Sequence, residues 1–262
     1  MSSSNSPGPS QNSLQSNRLA LRPVEALIGF HSYAEGSVLY SSGRTRVLCS
    51  VSIDKKVPDW MRDKGAGWLT AEYQMHPRAN PSRREKRDGR GRNLSGRSTE
   101  IQRLIGRSLR AAIDFKALGE LTIVVDCDVL EADGGTRTAS ITGGFIALAQ
   151  ALAKLQAQGI VKGGVLVDQV AAVSVGVVGQ ELVSDLCYEE DHNAEVDFNL
   201  VGTALGGIVE VQGTAEGRAM NRKTLDQLIA LGSNGVQELC QKQEQLLTAA
   251  GVNLENLFVK NA

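Results

Sequence analysis

Apolar and polar positions along the chain fall into two successive patterns, each running strands first and helices after. Residues 24–54 read as strands. Within them GSVLYSSGRTRVLCSVSI (36–53) alternates on both sides of Ser41-Ser42-Gly43, the signal of a hairpin. GWLTAEYQM (67–75) reads as another strand. Ser98 to Ala117 reads as a helix, with Thr99 and Gln102 as a capping box and Gly119 as its end. Ile101, Leu104, Ile105, Leu109 and Ile113 form its apolar stripe, with Arg103, Arg107 and Arg110 on another side. In LTIVVDCDVLEAD (121–133) the odd positions are apolar up to Val129, and Asp126 and Asp128 face the other way. This predicts a strand, followed by an apolar helix over 138–159.

The second pattern begins with paired strands over 164–178 and 180–189 around Gly179. Two more, 195–202 and 207–212, follow. A helix from Thr224 to Gly251 is expected to break near Ser233-Asn234-Gly235. The class is therefore α+β, with two halves of mixed β-sheet, about 18–160 and 161–251, each followed by helices. Residues 18–262 are expected to form a single domain. Residues 1–17, a Ser/Asn/Pro/Gln tract with little to bury, are expected to be disordered.

Composition adds three points. Aromatics make up only 4% of the chain, so Val, Ile, Leu and Ala must build the core. Cys49, Cys127, Cys187 and Cys240 are scattered without metal-ligand spacing, which suggests buried free thiols in a reducing compartment. No run of 18 apolar residues and no signal peptide is evident, so a cytoplasmic protein without a membrane span is expected. Charge changes the picture more. Net charge is −1, but from Arg78 to Arg110 ten arginines and Lys86 face only Glu85, Asp88 and Glu100. Much of this excess lies in PRANPSRREKRDGRGRNLSGR (77–97), a long exposed loop by composition. Arg suits bidentate phosphate recognition, so the loop points to a polyanionic partner, with a merely solvated loop as the alternative.

Three further stretches carry candidate chemistry. Asp133-Gly134-Gly135-Thr136-Arg137-Thr138 lies between a strand and a helix. Bare backbone, a hydroxyl and a guanidinium at a helix start make an anion cradle, and ordinary helix capping is the rival reading. Arg97, near the start of the preceding helix, is a cation that opposes the helix dipole unless it holds an anion; a surface Arg is the alternative. Asp185, Cys187 and Glu189 would alternate on one strand, with Asp191 and Asp197 flanking a short connection and Asn199 beyond. Such carboxylates suit Mg²⁺, although Asp-rich turns are common. His31, His76 and His192 pair with no Ser or Cys nucleophile and read as structural or surface residues.

Five blocks together resemble the bacterial ribonuclease PH family. They are GWLTAEYQMHPRA (67–79), SGRSTEIQRLIGRSLRA (95–111), DCDVLEADGGTRTASITG (126–143), YEEDHNAEVDFN (188–199) and EVQGTAEG (210–217). The resemblance covers residues 21 to the C-terminus. It implies the ribosomal-protein-S5-domain-2-like fold and phosphorolytic 3′→5′ exoribonuclease activity. The implied substrates are tRNA precursors, with rRNA processing as a related role, inorganic phosphate as co-substrate and nucleoside diphosphates as products. Run in reverse, the reaction is 3′ nucleotidyl transfer. The resemblance also implies residue roles: Arg97, Gly135, Thr136 and Arg137 for phosphate, Asp191 and Asp197 for Mg²⁺-assisted catalysis, and Arg78, Arg83 and Arg87 for RNA. The implied assembly is a homohexamer, a trimer of dimers. The family's opening Asp-Gly-Arg is missing before Leu21-Arg22-Pro23. A non-catalytic RNA-binding ring subunit of the same fold is the alternative.

Overall fold

The computed structural model describes residues 18–82, 84–85 and 95–259. The expectation for residues 1–17 therefore lies outside the described residues. A first sheet contains β1 (Val24–Ile28), β2 (Gly36–Ser42), β3 (Thr45–Asp54), β4 (Trp68–Met75) and β5 (Thr122–Glu131), in the order β1-β2-β3-β5-β4. Its pairs are antiparallel except β4 with β5. Ser42 pairs with Thr45 across the predicted hairpin turn. The predicted face of β5 is buried: Ile123, Val125, Cys127 and Val129 are all within 1% of full burial.

Helices α1 (Gly96–Arg110), α2 (Phe115–Leu118) and α3 (Thr136–Ala157) accompany this sheet. A single helix was expected from Ser98 to Ala117. The structure instead starts α1 at Gly96, because the Ser95 hydroxyl accepts from Ser98 N at 3.0 Å. Thr99 lies inside the first turn, its hydroxyl donating to Ser95 O at 3.1 Å. The helix stops early because Ile113 forms a β-bridge with Leu166 and Asp114 N donates to Val165 O. Asp114 then caps α2, accepting from Lys116 N and Ala117 N, and Gly119 ends α2 rather than α1.

The second sheet contains β6 (Val170–Val178), β7 (Glu181–Ser184), β8 (Val196–Thr203) and β9 (Ile208–Ala215), in the antiparallel order β7-β6-β8-β9. The strand expected over 180–189 ends at Ser184. Asp185 takes a left-handed φ of 51°, and α4 (Tyr188–His192) follows. Cys187 and Glu189 therefore do not alternate with Asp185 along a strand. Helix α5 (Arg222–Ala249) is continuous, without the expected break at Ser233-Asn234-Gly235. Gly235 serves packing there: a Cβ would lie 3.2 Å from a Val173 methyl, so its absence lets α5 approach β6 closely.

Strand β6 is covered on both faces. Val173 and Val175 pack with Leu228, Val236 and Leu239 of α5. On the opposite face the Thr142 hydroxyl of α3 bonds to both N and O of Ala172, at 3.1 and 3.2 Å. Helix α3 thus lies between the two sheets. By length and composition it could cross a membrane, but 83% of its most apolar window is buried, as in a core helix. Two residues earlier than expected, its start places Thr136 and Arg137 in the first turn, where backbone N–H groups lack intrahelical partners.

Candidate active site

The chain between β5 and α3 is held from three sides. Gly134 and Gly135 have φ of 78° and 62°, a conformation that favours glycine. A Cβ on Gly134 would lie 2.4 Å from the Leu186 carbonyl oxygen, so the segment carrying α4 can approach only because this residue has no side chain. The Thr45 hydroxyl donates to Gly134 O at 2.6 Å and accepts from Asp133 N at 2.9 Å. Arg22 Nη1 donates to Asp133 O at 2.6 Å, and Nη2 pairs with Asp185 Oδ1 at 2.6 Å. Burial would lower the Arg22 pKa, but the hydrogen bond and charge of Asp185, with Asp133 adding to them, outweigh it and hold the guanidinium above its ordinary value. Ser42 also donates to Asp185 Oδ2 at 2.8 Å. The ion pair and its bonds tie the glycine loop to the bend before α4.

A cavity of about 260 Å³ opens beside this loop. Its cationic side is formed by Arg97 and Arg137, each the second residue of its helix, together with Gly134, Gly135 and Thr136. The Thr136 hydroxyl lies 2.9 Å from Tyr73 Oη. Burial raises the Tyr73 pKa, against the lowering effects of that hydrogen bond, Arg97 and Arg137, so the phenol stays neutral near pH 7. Arg137 Nη2 reaches Glu100 Oε2 at 3.3 Å, and Gln212 Nε2 donates to the other oxygen of Glu100. Arg137 Nε is buried with no partner.

Carboxylates line the same cavity. Asp191 comes from α4 and Asp197 from β8, and both line the cavity. Across the sheet Asp197 pairs with Gly176 and Asn199 with Ser174, so these positions share one face. Burial pushes the Asp197 pKa up, and the like charge of Asp191 adds to it, against Arg137 and Arg97. Among the described residues no group of three or more His, Cys, Asp or Glu could hold a metal by protein ligands alone. Two carboxylates beside an anion cradle nevertheless fit Mg²⁺, which takes one or two carboxylates and completes its shell with water and phosphate oxygens.

Six predicted residues therefore meet at one cavity: Arg97, Gly135, Thr136, Arg137, Asp191 and Asp197. Arg78 does not line it. It is exposed, two residues before the cavity-lining Asn80, and Nη2 reaches Pro81 O at 3.4 Å. Arg83 and Arg87 lie outside the described residues. His31, His76 and His192 are exposed and do not line the cavity, although His192 stacks on Tyr188, which does. Sequence reasoning missed Tyr73, Ser174 and the Arg22–Asp185 pair. Tyr73 had a signal in its parity with Leu69 and Ala71 on β4. The ion pair had none, because its partners are 163 positions apart.

Comparison with known proteins identifies the lineage. Residues 20–153 match domain 1 of the 3′ exoribonuclease family, and residues 168–235 match domain 2. The chain belongs to the 3′ exoribonuclease family. Ribonuclease PH of Dehalococcoides mccartyi is 54% identical over 224 residues, 86% of this chain and 92% of that protein. Ribonuclease PH of Bacillus pumilus is 49% identical over 225 residues, 86% and 93%. Among solved structures, rice (Oryza sativa) Rrp46 aligns with a TM-score of 0.71 at 17% identity, covering 89% of this chain and 98% of that one. The Archaeoglobus fulgidus exosome with RNA bound to the active site aligns at 0.68 and 22% identity, covering 86% and 89%. At such identities the structures speak for the fold alone. The sequence relatives carry the activity: this family member is a phosphorolytic 3′→5′ exoribonuclease, a nucleotidyltransferase.

The raised pKa of Asp197 has a stability consequence. The folded chain binds this proton more tightly than the unfolded chain, so the contribution is fully present below the ordinary carboxylate value of about 3.9 and lost as pH rises through the raised value. At pH 7 in metal-free buffer, Asp197→Asn is expected to melt at a higher temperature than wild type. The gap should close as pH falls toward 4. A lower melting temperature at pH 7 would contradict the assigned repulsion.

Proposed function

We propose that this cavity transfers the 3′-terminal nucleotide of RNA, tRNA and rRNA precursors in particular, to inorganic phosphate. The supporting observation is the convergence of Arg97, Arg137 and the α3 N-terminus with Asp191 and Asp197 on one cavity. Arg97, Thr136, Arg137 and the backbone around Gly135 hold phosphate and aim one of its oxygens at the last phosphodiester. A P–O bond forms to that oxygen, and the bond to the 3′ oxygen of the shortened RNA breaks. The RNA leaves with a 3′-OH, and the other product is a nucleoside diphosphate. Asp191 and Asp197 would hold Mg²⁺, which when bound supplies positive charge for the oxygens of the reacting phosphoryl group. One phosphodiester is exchanged for one phosphoanhydride, so excess nucleoside diphosphate drives 3′ extension.

No protein nucleophile is required, in keeping with a site built from charge and backbone. The alternative, a non-catalytic RNA-binding ring subunit, does not require both cationic helix starts and both carboxylates to persist together. Arg78, Arg83 and Arg87 are proposed to grip the RNA backbone. The proposed assembly is a homohexameric ring, a trimer of dimers, in the cytoplasm.

Removing one electrostatic contact of this kind typically costs about 3–4 kcal/mol. Arg137→Ala should therefore lower kcat on RNA with a 3′ trailer by roughly a hundredfold or more; unchanged turnover would refute the phosphate assignment. Arg83→Ala with Arg87→Ala should weaken binding of long RNA and flatten its salt dependence, and an unaltered salt slope would remove both from the RNA path. Light scattering should give six times the 27.9 kDa chain mass. A monomer at working concentration would overturn the ring.

A further inference from the structure

Ser174 is the one strong hydrogen-bonding side chain in β6, VAAVSVGVV (170–178), and its hydroxyl has no partner although the residue is 4% exposed. A buried hydroxyl without a partner loses its water contacts for nothing in return, so such groups are rare and call for a reason. The strand shows where this one points. Val173 and Val175 face α5, while Ala172, on the other face, is bonded by Thr142 of α3. Ser174 follows on that same face and meets the N-terminal end of α3. Its Oγ lies 3.6 Å from where a Cβ on Gly135 would sit, and the residue lines the cavity.

The protein acceptors of the loop are already engaged. Gly135 O accepts from both Ala139 N and Thr138 Oγ1, each at 2.9 Å. Gly134 O is held by Thr45 and Asp133 O by Arg22. Across the sheet, Asn199 Nδ2 is directed at Asp197 Oδ1, 3.4 Å away. Arg137 Nε is the other buried, unpartnered side-chain atom on a cavity-lining residue. Two unsatisfied donors thus flank the first turn of α3, where bare backbone N–H groups also face outward.

We infer that the Ser174 hydroxyl is a further ligand of the phosphate co-substrate, donating a hydrogen bond to one of its oxygens from the second sheet. This inference rests on the phosphate reading of the cavity. It makes the phosphate site a joint product of both halves of the chain: Arg97, Thr136 and Arg137 from the first, Ser174 from the second.

The test titrates inorganic phosphate into the full-length wild type, Ser174→Ala and Arg137→Ala proteins by calorimetry, with melting temperatures taken in phosphate-free buffer. Ser174→Ala should weaken phosphate binding about tenfold, the size of one hydrogen bond to a charged group. Without phosphate it should melt no lower than wild type, because no internal bond is lost. Phosphate-free binding of RNA should not change. If Ser174→Ala binds phosphate like wild type while Arg137→Ala does not, the Ser174 inference falls and the phosphate reading stands. If both variants bind like wild type, the phosphate reading falls with it. A loss of stability in phosphate-free buffer would show that the hydroxyl serves the fold and would also overturn the inference.

Discussion

The burial of α3 between two sheets is the constraint on which the site depends. Its side chains pack on β2, β3 and β5 on one side and on β6 on the other. A helix enclosed in this way has its ends placed by the core rather than by surface loops. The N-terminal end opens at the seam between the sheets, where its unpaired N–H groups and positive dipole end need an anion. The anion site is therefore as rigid as the core that sets it.

Charge placement around that end is locally unfavourable and collectively useful. Arg97 and Arg137 each sit in the first turn of a helix, where the dipole disfavours a cation. Asp191 and Asp197 repel each other across a partly buried cleft. Ser174 brings a buried, unpartnered hydroxyl to the same cavity. Each of these is a cost to the empty protein that the proposed phosphate or divalent cation would relieve. The Arg22–Asp185 pair keeps the two charged halves in register, fixing the glycine loop and the bend before α4 through one guanidinium.

Much of this was legible in the chain. Alternation located β2, β3 and β5, because a two-residue period has few competing explanations when one face is buried. Glycines and hydroxyls between an apolar strand and an apolar helix marked the cradle, and the helix dipole explained why an arginine there was informative. Other features were hidden for physical reasons. The bend at Asp185 depends on an ion pair with a residue far away in sequence, so Cys187 and Glu189 looked like a continuing strand. Ser233-Asn234-Gly235 resembled a break, but Gly235 sits against Val173 of β6, and tertiary packing carries α5 through these weak helix formers. Ser174 was silent because a lone serine in an apolar strand acquires meaning only when the opposite wall is known. Across 17–22% identity the fold alone persists, whereas the activity is carried by relatives near 50%.

In the proposed reaction the anion at the mouth of α3 is the nucleophile. Incubating an RNA bearing a 3′ trailer with Mg²⁺ and radiolabelled inorganic phosphate, then separating the released nucleotides, tests it most directly. Phosphorolysis gives nucleoside diphosphates labelled in the β-phosphate, and no release when phosphate is withheld. Unlabelled nucleoside monophosphates, released equally well without phosphate, would contradict it.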